Sequence, residues 1–172
     1  MQKCIYLQKN DILMKKVTVL VPCYNEEDSL PLFYDSICAT MNGHPQYEWE
    51  LLLVNDGSRD NTLQIMRNLR SRDGRVSYID LSRNFGKERA MLSGFDYATG
   101  DCLIIMDADL QDPPELIPQM LRYWEDGYED VYAKRRDRGK ESFLRKAFSL
   151  AYYHILQKTT KIEVLQNVGD FR

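Results

Sequence analysis

CLIIMDADLQDPPE, Cys102 to Glu115, sets the terms on which the rest of the chain is read. An apolar run of strand-like composition ends on Asp107, Ala108 and Asp109. On an extended segment alternate side chains share a side, so Asp107 and Asp109 can turn toward one point beyond a sheet. Two carboxylates so placed repel, and a cation between them relieves that repulsion. Hard oxygen donors suit Mg²⁺ or Mn²⁺, and a small set of protein ligands leaves coordination positions for substrate phosphates. Gln111 continues the alternation and offers a carbonyl oxygen as a third donor. The plainer alternative is a solvated turn with a helix cap. The buried strand leading into the motif favours the metal reading.

The flanking segments give the motif its setting. Asp112 and Glu115 stand three apart as a capping-box-like pair, with Pro113 at the first position of a helix. Upstream, Val17 to Val21 is an apolar β-branched run ended by Pro22, WELLLVND is a second buried strand, and VSYIDL is a third. Uniform apolarity predicts strands covered on both faces, as in a parallel sheet. Between them, Leu30, Phe33, Ile37 and Met41 keep helical spacing after a cap at Asp28 or Ser29. Leu63, Met66 and Leu69 do the same after Asp60 or Asn61. NFGKERAMLSGFDYATG reads as a loop, a helix and a terminal glycine. EDVYAKR predicts a fifth strand, and a last helix runs from Lys140 to about Lys158. The alternation of strands and helices predicts an α/β fold around a mostly parallel sheet.

The chain has 172 residues, 44% apolar and 28% charged, with a net charge of −3. That suits one soluble globular domain and gives no reason to expect nucleic acid, which asks for a clearly basic domain. Cys4, Cys23, Cys38 and Cys102 form no Cys-x-x-Cys pair, so a cysteine zinc site is not expected and reduced thiols in a cytosolic compartment are. No apolar run is long enough to span a bilayer. Residues 1–13 show no period, and MKKVTVLVP reads as a second natural start. The leader is therefore set aside as a tag-like extension, and 14–172 is taken as the domain.

In a parallel α/β sheet, ligands bind beyond the carboxyl ends of the strands. There the first strand brings Pro22, Tyr24, Asn25 and Glu26. Tyr24 can pack on a base, while Asn25 and Glu26 supply polar contacts or simply cap a helix. The second strand brings Asp56, with Gly57 and Ser58 permitting a tight turn. Asp56 can accept a hydrogen bond from a nucleobase imide or a ribose hydroxyl, or serve as a turn aspartate. The fourth strand brings the Asp107–Asp109 pair.

VTVLVPCYNEE, LLLVNDGSRDNT, LSRNFGKERAMLSGFDYATGD and IIMDADLQDPPE together resemble the catalytic domain of family 2 glycosyltransferases of the GT-A fold. The likeness is greatest to bacterial polyprenyl-phosphate (bactoprenol) glucosyltransferases and extends to dolichol-phosphate mannose synthases. It covers Met14 to Arg172. The resemblance implies that Pro22, Tyr24, Asn25, Glu26, Asp56, Gly57, Ser58, Asp107 and Ala108 hold a nucleotide, Asp56 by its base. It implies that Asp107, Asp109 and Gln111 hold Mg²⁺ or Mn²⁺, Asp109 serving catalysis as a metal ligand. VGDFR matches a later motif that places Arg172 near the phosphates, and more weakly Arg135 and Arg136.

The implied reaction moves a sugar, with glucose from UDP-glucose the favoured choice, to a polyprenyl phosphate with inversion. An acceptor phosphate with a second pKa near 6 needs little general base. That accounts for the absence of a Ser-His-Asp set. Relatives continue past GDFR, so the chain reads as truncated and its own turnover as open. Seven basic residues between Lys134 and Lys146, ahead of Leu144, Phe148, Ala151 and Ile155, suit an anionic membrane surface. The resemblance favours an interfacial helix at 140–158 over a core-packing one. The expected location is the cytoplasmic face of the cell membrane, with a homo-oligomer left open. Three rivals share parts of the pattern. A haloacid-dehalogenase-like phosphatase carries Asp-x-Asp on its first strand, and a nicotinamide oxidoreductase needs glycines where VPCYNEE has none. A nucleotide-sugar-binding module without turnover shares the site and differs only in activity.

Overall fold

The computed structural model describes residues 14–133 and Phe171. Four strands account for the apolar runs: β1 (Lys16–Cys23), β2 (Glu48–Asn55), β3 (Val76–Asp80) and β4 (Cys102–Ile105). They form one parallel sheet in the order β3-β2-β1-β4. Four helices connect or follow them: α1 (Leu30–Gly43), α2 (Thr62–Arg72), α3 (Lys87–Tyr97) and α4 (Ile117–Glu125). The parallel sheet between helices expected from sequence is therefore present.

The sheet is covered on both faces, which is why its strands read as unbroken apolar runs. One face carries the larger core. Val17, Val19, Val21, Leu51 and Leu53 pack there with Phe33 and Ile37 of α1, Met66 of α2 and Leu121 of α4. On the other face Leu20, Leu52 and Val54 meet Ala90 of α3. Gly94 lets α3 lie close on this face. A Cβ there would fall 2.2 Å from a methyl carbon of Leu20.

Several local expectations are corrected. Pro22 does not end β1 but lies within it, opposite Val54. Pairing with β4 stops at Leu20 and Ile105, closed by Met106 N–H donating to the Leu20 carbonyl. Two residues on, the missing N–H of Pro22 therefore points past the end of that ladder and costs no bond. Ser29 and Asn61 occupy the cap positions of α1 and α2, but neither side chain caps its helix; for α2 the other candidate, Asp60, accepts the first helical N–H, that of Thr62, at 3.0 Å. Ser29 Oγ bonds to the Glu26 carboxylate instead. Glycine does not end α3, whose cap is Ala98. Gly100 instead permits a close crossing, since a Cβ would lie 2.7 Å from the Thr18 backbone nitrogen. Pro113 precedes a 3₁₀ turn over Pro114–Leu116, so Pro114 takes the first helical position and α4 starts at Ile117.

The predicted fifth strand is absent over Glu129–Ala133, which has no regular structure. Ala133 N–H bonds to the carbonyl of Phe171, 3.1 Å, and Phe171 is buried in the larger core. The rest of that segment, the helix expected at 140–158, Arg135, Arg136 and Arg172 lie outside the described residues, as does the 1–13 leader.

Candidate active site

A chain that places β1 between β2 and β4 reverses its order of strand addition there. Such a switch point opens a crevice at the carboxyl ends of the strands. In this protein a cleft of about 290 Å³ opens there. Pro22, Tyr24 and Glu26 enter it from β1, Asp56 from β2, and Asp107, Ala108 and Asp109 from beyond β4. Seven residues singled out in the sequence thus meet in one cavity. A larger groove of about 600 Å³ lies at the opposite end of the sheet, around Lys16, Glu48 and Arg75. Two of its charges are paired locally, Lys16 with Glu48 and Arg75 with Asp73.

The loops around the cleft are laced together. Asn25, at φ 56°, donates its backbone N–H to Ser58 Oγ at 3.0 Å. Its side-chain oxygen accepts from Arg59 N–H at 2.8 Å. Glu26 N–H reaches Thr62 Oγ1 at 2.8 Å, and Glu27 accepts from the backbone and side chain of Asn61. Asn25, Gly57 and Ser58 do not line the cavity; Asn25 and Ser58 fasten the β1 and β2 loops to each other.

Asp56 does more than turn the chain. It is 3% exposed, and its two oxygens accept Phe85 N–H at 2.7 Å and Gly86 N–H at 2.9 Å. Each oxygen keeps a further lone pair. Beside it Gly57, at φ 64°, lies against the Arg83–Asn84 backbone, where a Cβ would fall 2.3 Å from the Arg83 carbonyl carbon. The loop after β3 is thereby drawn over the ends of β1 and β2. It contributes Asn84, Gly86 and Lys87 to the cleft, three residues that the sequence reading passed over. The available signal was their position: NFGK follows a third parallel strand, so it belongs to the same rim.

The Asp-x-Asp segment departs from the extended geometry expected of it. Regular pairing ends at Ile105, and Leu110 adopts φ 62° in a turn. Gln111 is therefore swung off the alternation. Its backbone N–H donates to Asp109 Oδ1 at 3.0 Å, and it does not line the cleft. Asp107 and Asp109 do line it. The Lys87 ammonium straddles the Asp107 carboxylate, 2.6 Å from one oxygen and 2.8 Å from the other. Among the described residues no cluster of three or more His, Cys, Asp or Glu forms a metal site. The donor set still fits a hard divalent ion, because two partly exposed carboxylates facing an open cleft leave room for phosphate oxygens and water. Cys23 adds no thiolate. Burial, then the nearby Glu26 and Asp107 charges, pushes its thiol well above the usual range.

Comparisons with known proteins agree with this architecture. The chain is 43% identical over 155 residues to an uncharacterized glycosyltransferase, YkcC, of Bacillus subtilis (strain 168), covering 90% of this chain and 48% of that protein. It is 40% identical over 157 residues to a prophage bactoprenol glucosyl transferase homolog of Escherichia coli (strain K12), covering 91% and 51%. The chain thus spans about half the length of the curated relatives it matches. Among solved structures, a mannosyltransferase from Pyrobaculum calidifontis in complex with GDP-Man and Mn²⁺ superposes with a TM-score of 0.59. The identity is 23%, over 72% of this chain and 37% of that one, and the likeness is one of fold. The family model described as glycosyl transferase family 2 matches residues 18–172, from the first strand through the laced rim and the Asp-x-Asp turn, and the chain belongs to that family.

Proposed function

We propose that this cleft binds a nucleotide diphosphate sugar, with UDP-glucose the favoured donor, and that the protein containing it transfers the sugar with inversion to a polyprenyl phosphate. The observation that carries the reading is the meeting of Tyr24, Asp56, Asp107 and Asp109 in one cavity at the strand ends. Tyr24, 40% exposed at the rim, offers a ring face to a base. Asp56, already held by two backbone N–H groups, offers its remaining lone pairs to the imide edge of uracil. Asp107 and Asp109 would hold Mg²⁺ or Mn²⁺, which supplies charge neutralisation for the departing diphosphate. Family resemblance adds Arg172, and more weakly Arg135 and Arg136, on the phosphate side. The glucosyl and lipid assignments rest on the resemblance to bactoprenol glucosyl transferases, and with them the membrane surface and the cytoplasmic face.

A phosphatase of the haloacid-dehalogenase type is not favoured, because the Asp-x-Asp follows β4 and not β1. Calorimetry with UDP-glucose, UDP-GlcNAc and GDP-mannose, each with and without Mn²⁺, tests the donor. UDP-glucose should bind most tightly and need Mn²⁺ to do so. Equal indifference to all three sugars would end the reading. Transfer of labelled glucose to an added polyprenyl phosphate then separates an enzyme from a binding module.

A further inference from the structure

Lys87 is the residue of the cleft whose placement the proposed reaction leaves unexplained. It is the first residue of α3, and three features fix it there. Asp56 holds the two N–H groups just before it, Gly57 lets Arg83 and Asn84 approach, and Gly86 turns the chain at φ 96°. So positioned, its ammonium sits across both oxygens of Asp107. Among the described residues, the charged ones lining the cleft are Glu26, Asp56, Asp107 and Asp109 against Lys87. A cavity so rich in carboxylate repels a diphosphate unless cations are brought to bear on it.

We propose that Lys87 is a resident counter-ion with two successive partners. In the nucleotide-free protein it neutralises Asp107 and competes with a divalent cation for that carboxylate. When nucleotide diphosphate and metal enter together, the metal takes the carboxylate and the displaced ammonium transfers to the diphosphate oxygens. The exchange requires no unburying, since the Lys87 and Asp107 side chains are 36% and 34% exposed. It makes metal and donor binding mutually reinforcing, because each provides the other's vacated partner. Lysine suits this task, as a compact ammonium on a flexible stem can serve two acceptors in turn. This inference rests on the nucleotide diphosphate reading of the cleft.

Titration of the 172-residue chain with Mn²⁺ alone, then with UDP and with UMP at saturating Mn²⁺, tests it. Lys87→Met should bind Mn²⁺ roughly two- to fivefold more tightly than the parent, the worth of a part-exposed ion pair removed. The same variant should bind UDP roughly tenfold more weakly, the worth of one charge-assisted hydrogen bond, while UMP changes little. Lys87→Arg should restore UDP affinity. Mn²⁺ affinity unchanged or weakened in Lys87→Met, or undetectable in both proteins, overturns the competition. Equal losses for UDP and UMP, or loss of the folded circular dichroism spectrum, overturn the transfer to diphosphate and leave Lys87 a structural residue. If the parent binds Mn²⁺ but no nucleotide, the donor reading fails while the Mn²⁺ comparison still reports on the ion pair.

Discussion

Asp56 shows how one carboxylate can be legible in type and hidden in task. Its place at the end of a buried run marks it as a site residue. That its oxygens hold Phe85 and Gly86 is a through-space fact, because the partners lie 29 and 30 positions away. The same distance concealed Lys87, whose identity as a pocket residue depends on where that loop is drawn. Asp56→Asn keeps the volume but presents an N–H₂ to one of two part-buried N–H donors. It should cost about 1–3 kcal/mol of stability, the penalty of an unsatisfied buried group, measured by urea unfolding at neutral pH. A variant as stable as the parent would show that the loop does not depend on this clamp. Gly57→Ala is expected to disturb the loop more than Asp56→Asn, since it strains a positive φ and drives a Cβ into backbone rather than into a movable side chain.

At the scale of elements, the apolar periods located the four described strands and the face of α1, because burial on two faces or one stripe leaves a direct imprint on composition; on α2 Met66 and Leu69 are buried as expected, but Thr62 is buried there and not Leu63. The element ends were less legible. Capping residues were read from type alone, yet Ser29 and Asn61 direct their side chains elsewhere, and Pro22 is tolerated only because of where a neighbouring strand stops. One junction does carry a strong electrostatic signature. Asp73, at the end of α2, accepts from Arg75 at 2.7 Å and from Tyr34 of α1 at 3.0 Å, while Arg75 also reaches Asn42. The Arg75 guanidinium, above all, holds the Asp73 carboxyl down at about 2 from its ordinary 3.8. A depressed carboxyl contributes stability that is complete above its unfolded value and disappears as the pH falls through its folded one. Asp73→Asn should therefore lose about 1–2 kcal/mol at pH 7, and the gap to the parent should close between about pH 4 and pH 2. Urea melts across that range measure it; a gap independent of pH would assign the loss to packing instead.

For the whole molecule, the alternation of strands and helices made a parallel α/β sheet legible, while the order β3-β2-β1-β4 was not. Order depends on which face each connection crosses, and the single-sequence pattern carries no mark of that. The order has a measurable signature. β1 and β2 are paired on both sides, whereas β3 and β4 are each paired on one side among the described residues. Amide hydrogen exchange should be slowest in Val19–Val21 and Leu51–Leu53 and faster in Ser77–Ile79. Equal protection in β3 would contradict the edge position. The lacing of the rim also bears on how such a protein diversifies. Asn25 with Ser58 and Arg59, Glu26 with Thr62, and Asp56 with Phe85 and Gly86 bind three loops into a single heritable block. A transplant of one of those loops from a homologous chain would break its partners' bonds, so donor preference in this lineage should change by exchange of all three together. The Asp-x-Asp turn is tied to that block through the Lys87–Asp107 pair and should be exchanged with it.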